Sequence, residues 1–383
     1  MISVLYADKF FIENGVKGPG YLTIKEGKFG SYSVAKPNQY DEILDFTGSW
    51  IAPGLVDTHI HGYKGHDVMD NDFEGLNEIS EGLLSCGVTS FLPTTLTSSI
   101  ELLDGVSKMI GQKAKDVKGA KIRGIFFEGP FFTEEHKGAQ NPDYFIDPSV
   151  EHLKKWQELS GGLIKKIAIA PEREGALEFI DYAKKENITV ALAHSSATYD
   201  KAKQAVDHGA SIFTHTYNGM SGFHHREPGM VGAAMNLKDV YVELICDGYH
   251  VNPVAANILM DVSGRERVVL VTDCMRAGGM PEGNSKLGEF PVLVKDGAAR
   301  LENGSLAGSI LELKTAVKNV VAWDIATSEE AIKMASTVPA ASVNIENECG
   351  KIQEGLDADF IVLSPELDLN ASYIDGECRY SAE

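Results

Sequence analysis

The sequence predicts an α/β protein built on a (β/α)8 TIM-like barrel, with a small β domain assembled from both ends of the chain. Three observations lead there. From Gly54 onward, short β-branched runs alternate with helical stretches. Eight such runs precede residue 274, and eight strands in βα alternation favour a closed barrel over an open sheet. The segments on either side of this region return to β patterning.

Residues 1–52 read as short strands and turns. Tyr21-Leu22-Thr23-Ile24 and Lys28-Phe29-Gly30 flank a turn at Glu26-Gly27. The barrel is expected over 53–340. Its strands fall at 55–61, 89–94, 122–128, 166–170, 189–194, 211–215, 242–247 and 268–273, with helices at 74–85, 99–114, 174–185, 198–207 and 253–262. The sixth unit carries the weakest signal, because Arg226-Glu227-Pro228-Gly229 interrupts any helix after it. A hairpin insertion is expected near 291–302, turning at Asp296-Gly297, followed by helices over 309–322 and 328–336. Residues 341–383 return to strands at 359–363 and 368–379, able to pair with the N-terminal segment.

The formal net charge of −20 argues against nonspecific binding to nucleic acid or an anionic membrane. A small anionic substrate stays open, because one arginine and a few backbone N–H groups can hold a phosphate. Five cysteines without a CxxC pair read as reduced thiols in a cytoplasmic protein. No signal peptide is expected at the N-terminus. No apolar run approaches the ~18 residues of a membrane helix.

Side chains at i and i+2 of a strand share a face. His59 and His61 in Asp57-Thr58-His59-Ile60-His61-Gly62 therefore project together, spaced to hold one divalent ion. Glu128, His194, His215 and Asp273 each close a predicted strand, and active residues of such barrels sit at the strands' C-terminal ends. Imidazole and carboxylate suit zinc and other first-row divalent ions. Glu128 can bridge two ions, with His59 and His61 serving one and His194 and His215 the other. Asp273 can move the proton of an attacking water. The pattern points to a metal-dependent hydrolase.

The same residues resemble the amidohydrolase superfamily, and within it the N-acetylglucosamine-6-phosphate deacetylases, over nearly the whole chain. The motifs are Pro53 to Gly62, Glu128-Gly129-Pro130-Phe131, Ala193-His194, Thr214 to Met220, Arg226-Glu227-Pro228-Gly229, Cys246-Asp247-Gly248-Tyr249-His250, Val271-Thr272-Asp273 and Leu306-Ala307-Gly308-Ser309. The resemblance implies a barrel plus a small β-sandwich. It implies hydrolysis of the N-acetyl group of a phosphorylated amino sugar in a homodimer that uses one or two ions: zinc, or else iron, manganese, cobalt or nickel. It casts Glu128, His194 and His215 as ligands of the main ion and Asp273 as general base and acid. His250 would contact the sugar and polarise the amide carbonyl. Asn218, Gly219 and Arg226 would hold the phosphate end, Arg226 across the dimer. Leu306, Ala307 and Gly308 would line the acetyl pocket.

Two features depart from the best-known family pattern. Some members lack the paired histidines and keep one metal, whereas this chain retains both. Gln140, after Gly138-Ala139, stands where many members carry a substrate-facing histidine. Two other readings compete: a cyclic-amide hydrolase with a carbamylated lysine bridge, and a noncatalytic scaffold. No lysine ends strand four, where Ala170-Pro171 lies, and no ligand is lost.

Overall fold

The computed structural model describes residues 2–382. Eight parallel strands lie side by side in sequence order: β1 (Leu55–Ile60), β2 (Val88–Thr95), β3 (Ile125–Phe131), β4 (Ile164–Ile169), β5 (Thr189–Leu192), β6 (Ile212–Phe213), β7 (Tyr241–Leu244) and β8 (Val268–Leu270). The seam between last and first strand is joined just past β8, where the Asp273 amide donates to the His59 carbonyl at 2.8 Å and the His61 amide to the Cys274 carbonyl at 2.9 Å. Every residue of β1, β2 and β3 is buried, as expected for parallel strands covered on both faces.

The helices are α1 (Phe73–Leu83), α2 (Ile100–Lys113), α3 (Val150–Leu159), α4 (Ala176–Lys185), α5 (Tyr199–His208), α6 (Gly229–Asn236), α7 (Pro253–Ser263), α8 (Leu313–Ala322), α9 (Ser328–Met334) and α10 (Thr337–Ser342). Asp72, Ser99, Ser149, Thr198, Asn252 and Thr327 each cap an N-terminus by accepting from a first-turn amide. The sixth unit differs from expectation. Arg226-Glu227-Pro228-Gly229 does not break a helix but precedes one, with Pro228 at the N-cap of α6. A proline there surrenders no helical hydrogen bond.

Two cores result. Val56, Leu92, Phe126, Ala168, Ala191 and Ile212 pack inside the barrel, closed off by Ala340, Val343 and Ile345. The larger cluster fills the space between strands and helices. Within it Trp156 of α3 is wholly buried and stacks on Phe127 at 4.8 Å between centroids.

Both ends of the chain build one eight-stranded sheet. Glu42–Pro53 runs parallel to Ile2–Ile12 and antiparallel to Phe360–Leu363. The sheet folds over its own core of Leu5, Phe10, Leu22, Phe29, Ile51 and Phe360, bringing Phe29 to 6.3 Å from Phe360. Lys121 and Arg123, at the foot of the barrel, pair with Asp357 and Asp359 and tie the two units together. The insertion after β8 is a three-stranded antiparallel sheet, Gly283–Leu287, Phe290–Lys295 and Ala298–Arg300, one strand larger than the expected hairpin. Among the described residues no helix is long and apolar enough to cross a membrane, and all five cysteines are free.

Candidate metal and substrate site

The C-terminal rim of the barrel gathers the predicted residues. His59 lies in β1 and His61 just beyond it, Glu128 lies in β3, and His194, His215 and Asp273 follow β5, β6 and β8 within three residues. The last three share an unusual backbone: φ is +43° at His194, +31° at His215 and +49° at Asp273. A non-glycine residue held there costs about 1–3 kcal/mol. Each strand thus ends in a sharp turn at the residue whose side chain enters the cleft.

Glu128 is the hub. Its Oε1 lies 3.3 Å from His194 Nε2, 3.2 Å from His215 Nε2 and 3.5 Å from His59 Nε2, and its Oε2 lies 3.1 Å from His61 Nε2. Asp273 Oδ1 sits 3.4 Å from His59 Nε2 and 3.2 Å from His61 Nε2. Two sets, His59/His61/Glu128 and Glu128/His194/His215, therefore bring buried ligand atoms within 4.8 Å of one another.

The imidazole orientations decide what belongs between them. His194 Nδ1 donates to the His136 carbonyl at 2.8 Å, and His215 Nδ1 to the Asn218 carbonyl at 3.1 Å. Nδ1 therefore carries a proton in both rings, which leaves Nε2 as the lone-pair atom of the neutral imidazole. Yet the two Nε2 atoms face each other at 3.3 Å. His59 repeats the pattern: Nδ1 faces Glu243 Oε2 at 3.2 Å, while the buried Nε2 has no hydrogen-bond partner. Lone pairs converging on carboxylates call for a cation. Without one, protons fill the role: burial pulls the His59 imidazole down, but Asp273 and Glu128 more than offset this and raise it to about 9. His61 is raised well above its usual range against the same burial penalty, by Asp273 and Glu128. Burial pushes the carboxyls of Glu128 and Asp273 up, yet the neighbouring imidazoles hold both below the usual range.

A sequence model of the Amidohydrolase family matches residues 50–380. The chain belongs to the amidohydrolase family. Among relatives, the N-acetylglucosamine-6-phosphate deacetylase of Vibrio furnissii is 39% identical over 87% of this chain and 83% of its own. The N-acetylgalactosamine-6-phosphate deacetylase of Escherichia coli O157:H7 is 36% identical over 98% of this chain and 99% of its own. Among solved structures, the N-acetylglucosamine-6-phosphate deacetylase of Thermotoga maritima matches with a TM-score of 0.90 at 31% identity, over 99% of this chain and 100% of its own. The Mycobacterium smegmatis enzyme, a mutant in complex with N-acetyl-D-glucosamine-6-phosphate, matches with a TM-score of 0.92 at 28% identity, over 99% of this chain and 100% of its own.

In this amidohydrolase a cleft of about 230 Å³ opens above the ligand cluster, and His250, Asn218, Gly219, Ala139, Gln140, Leu306 and Gly308 all line it. His250 Nδ1 is tethered to Asp247 Oδ2 at 2.6 Å. One expected lining residue, Ala307, is off the cleft wall, and two others, Gln140 and Arg226, are engaged by neighbouring side chains. Ala307 is wholly buried and packs with Met275 and Val292 behind the wall. The Gln140 amide is already engaged, donating to Glu128 Oε2 at 2.7 Å and accepting from the Thr97 amide at 3.0 Å. It supports the hub. Arg226 is exposed, lies outside the cleft lining and bonds His225 Nε2 at 2.9 Å.

Three buried groups went unassigned in the sequence. Asp57 accepts from the Thr272 hydroxyl at 2.6 Å and the His59 amide at 3.2 Å, and burial raises its carboxyl to about 6 despite these bonds. Glu243 of β7 and Lys166 of β4 pair inside the barrel. Burial pushes Glu243 up, but Lys166 and His59 hold it at about 2. For Glu243 the available signal was a charge inside an otherwise uncharged strand, Tyr241–Leu244.

Proposed function

We propose that this amidohydrolase removes the N-acetyl group of an N-acetylhexosamine 6-phosphate, with N-acetyl-D-glucosamine 6-phosphate as substrate, releasing acetate and D-glucosamine 6-phosphate in amino-sugar catabolism. The observation that carries this reading is the set of imidazole lone pairs turned onto Glu128 beneath an open cleft, with Asp273 at its edge. Glu128, His194 and His215 would hold one divalent ion, zinc fitting the donor set. His59 and His61 with Glu128 would hold a second. When bound, such an ion polarises the amide carbonyl and acidifies water.

The protein's own groups supply the rest. Asp273 accepts a proton from the attacking water and returns it to the departing amine nitrogen as the C–N bond breaks. His250, fixed by Asp247, presents its free edge to the carbonyl oxygen. Asn218 and Gly219 receive the phosphate end, and Leu306 and Gly308 flank the acetyl methyl.

Arg226 fits a homodimer in which it serves a neighbouring copy. Phe223 on its loop, Tyr249, and Val254, Ile258 and Val262 of α7 are exposed apolar side chains. The three α7 residues are four apart and form one stripe. The free thiols suit the cytoplasm. A second reading exchanges the epimer, since a relative named for the galactosamine substrate is 36% identical over 98% of this chain.

Purified protein is offered N-acetylglucosamine 6-phosphate, N-acetylgalactosamine 6-phosphate and unphosphorylated N-acetylglucosamine, with and without a chelator. Free amine from the first, lost on chelation, is expected. No amine from either phosphorylated sugar refutes the assignment, and a faster galactosamine reaction selects the second reading. Asp273→Asn is expected to lower kcat by ~10²–10⁴ with bound metal retained.

A further inference from the structure

We propose that the buried Lys166–Glu243 pair is a positioning device that locks the His59 imidazole and so decides whether the chain holds a second ion. It rests on the two-ion reading above.

Both side chains are wholly inaccessible to solvent. Stability alone does not account for them, because replacing a buried ion pair with well-packed apolar groups is often neutral or stabilising. The barrel interior that holds them is otherwise filled by an apolar cluster that includes Val56, Leu92, Ala168 and Ala191.

The contacts of Glu243 account for the pair better. One oxygen, Oε1, is engaged by Lys166 Nζ. The other, Oε2, accepts from His59 Nδ1 at 3.2 Å and from the His215 backbone amide at 3.2 Å. A single carboxylate therefore addresses one member of each candidate ligand set. Holding His59 by Nδ1 leaves Nε2 as the free ligating atom, which is the tautomer a metal requires. Lys166 acts a second time through an aromatic ring. Its ammonium lies 3.7 Å from the Phe126 ring centroid, and the Phe126 ring meets His59 edge-on at 4.9 Å. His59 is thus gripped from two sides by groups that Lys166 organises. His61 has no such support: its Nδ1 is buried without a partner. Orientation of the paired-histidine site therefore falls on His59, and through it on Glu243 and Lys166.

The test uses the metal-free full chain titrated calorimetrically with Zn²⁺, beside its thermal unfolding. Three proteins are compared: wild type, the near-isosteric Glu243→Gln, and the Lys166→Met/Glu243→Leu double variant. Wild type is expected to bind two ions. Both variants are expected to keep the first and to bind the second ~10–100-fold more weakly, the usual effect of removing a group that orients a ligand. The metal-free double variant is expected to unfold cooperatively but below the wild-type temperature, because His59 Nδ1 and the His215 amide lose their acceptor. A merely structural role would leave two ions bound at wild-type affinity in both variants, whatever the unfolding temperature, and that result overturns the proposal. So does failure of both variants to fold. A wild type that takes up a single ion overturns the two-ion reading and this proposal with it. Two ions in wild type and an unweakened second ion in Glu243→Gln overturn the positioning role alone.

Discussion

Stripping the metal should make the stability of this protein fall steeply with pH across the neutral range. In the metal-free fold the His59 imidazole is raised from 6.5 to about 9. A group whose proton affinity rises on folding stabilises the fold fully below its unfolded value and loses that contribution as pH climbs through its folded value. At ~1.4 kcal/mol per tenfold change in proton affinity, the His59 contribution is about 3 kcal/mol, complete below pH 6.5 and nearly gone by pH 9. His61 adds to it in the same direction. Asp57, raised to about 6, spends its own effect below this window. The thiols of Cys86 and Cys349, pushed up to about 12 by burial, remain protonated within it. The measurement is urea unfolding of chelated protein at half-unit steps from pH 6.5 to 9. With saturating Zn²⁺ the trend should reverse, because the metal needs unprotonated imidazoles and competes best at high pH. A flat profile for the chelated protein would refute the claim that protons stand in for a cation between these side chains.

Gly219→Ala should weaken metal binding at least ~10-fold in a chelator competition, because the added Cβ would lie 2.9 Å from His194 Nδ1 at a residue with φ of +58°. An unchanged affinity would mean that His194 is free to shift. Gln140→Leu should destabilise the metal-free fold by about 1–3 kcal/mol, since Glu128 loses a buried donor and the Thr97 amide its acceptor. KM for the phosphorylated sugar should stay put, and a raised KM at unchanged stability would restore the residue to substrate binding. Trp156→Ala should cost about 3–5 kcal/mol in urea unfolding through the cavity left against Phe127 and Phe131; a loss below 1 kcal/mol would show that the layer between β3 and its helices can collapse.

The eight barrel strands were legible because parallel strands covered on both faces appear as short β-branched apolar runs, and their rim residues as polar groups closing each run. His194, His215 and Asp273 stood out for that reason. The runs could not announce the left-handed backbone at each rim residue, since that follows from where the next segment must go. Lys166 and Glu243 escaped notice because each sits mid-strand, and the partner that makes its charge tolerable is 77 positions away. Gln140 stood out only because it occupies the place of a family histidine, and a motif could not show that its amide donates to Glu128 and accepts from the Thr97 amide. Pro228 misled in the sixth unit because the same residue that stops a helix also begins one.

The sheet built from both ends of the chain has a consequence for synthesis. The strand Glu42–Pro53 leaves the ribosome early, but one of its two neighbours, Phe360–Leu363, emerges after almost the whole barrel. Until then it carries an open edge able to pair with another nascent chain. Residues 42–47 alternate between half-buried and exposed, whereas the stretch Ile51–Pro53 is fully buried once paired. That short apolar stretch is where a chaperone holding the growing polypeptide would have most to protect.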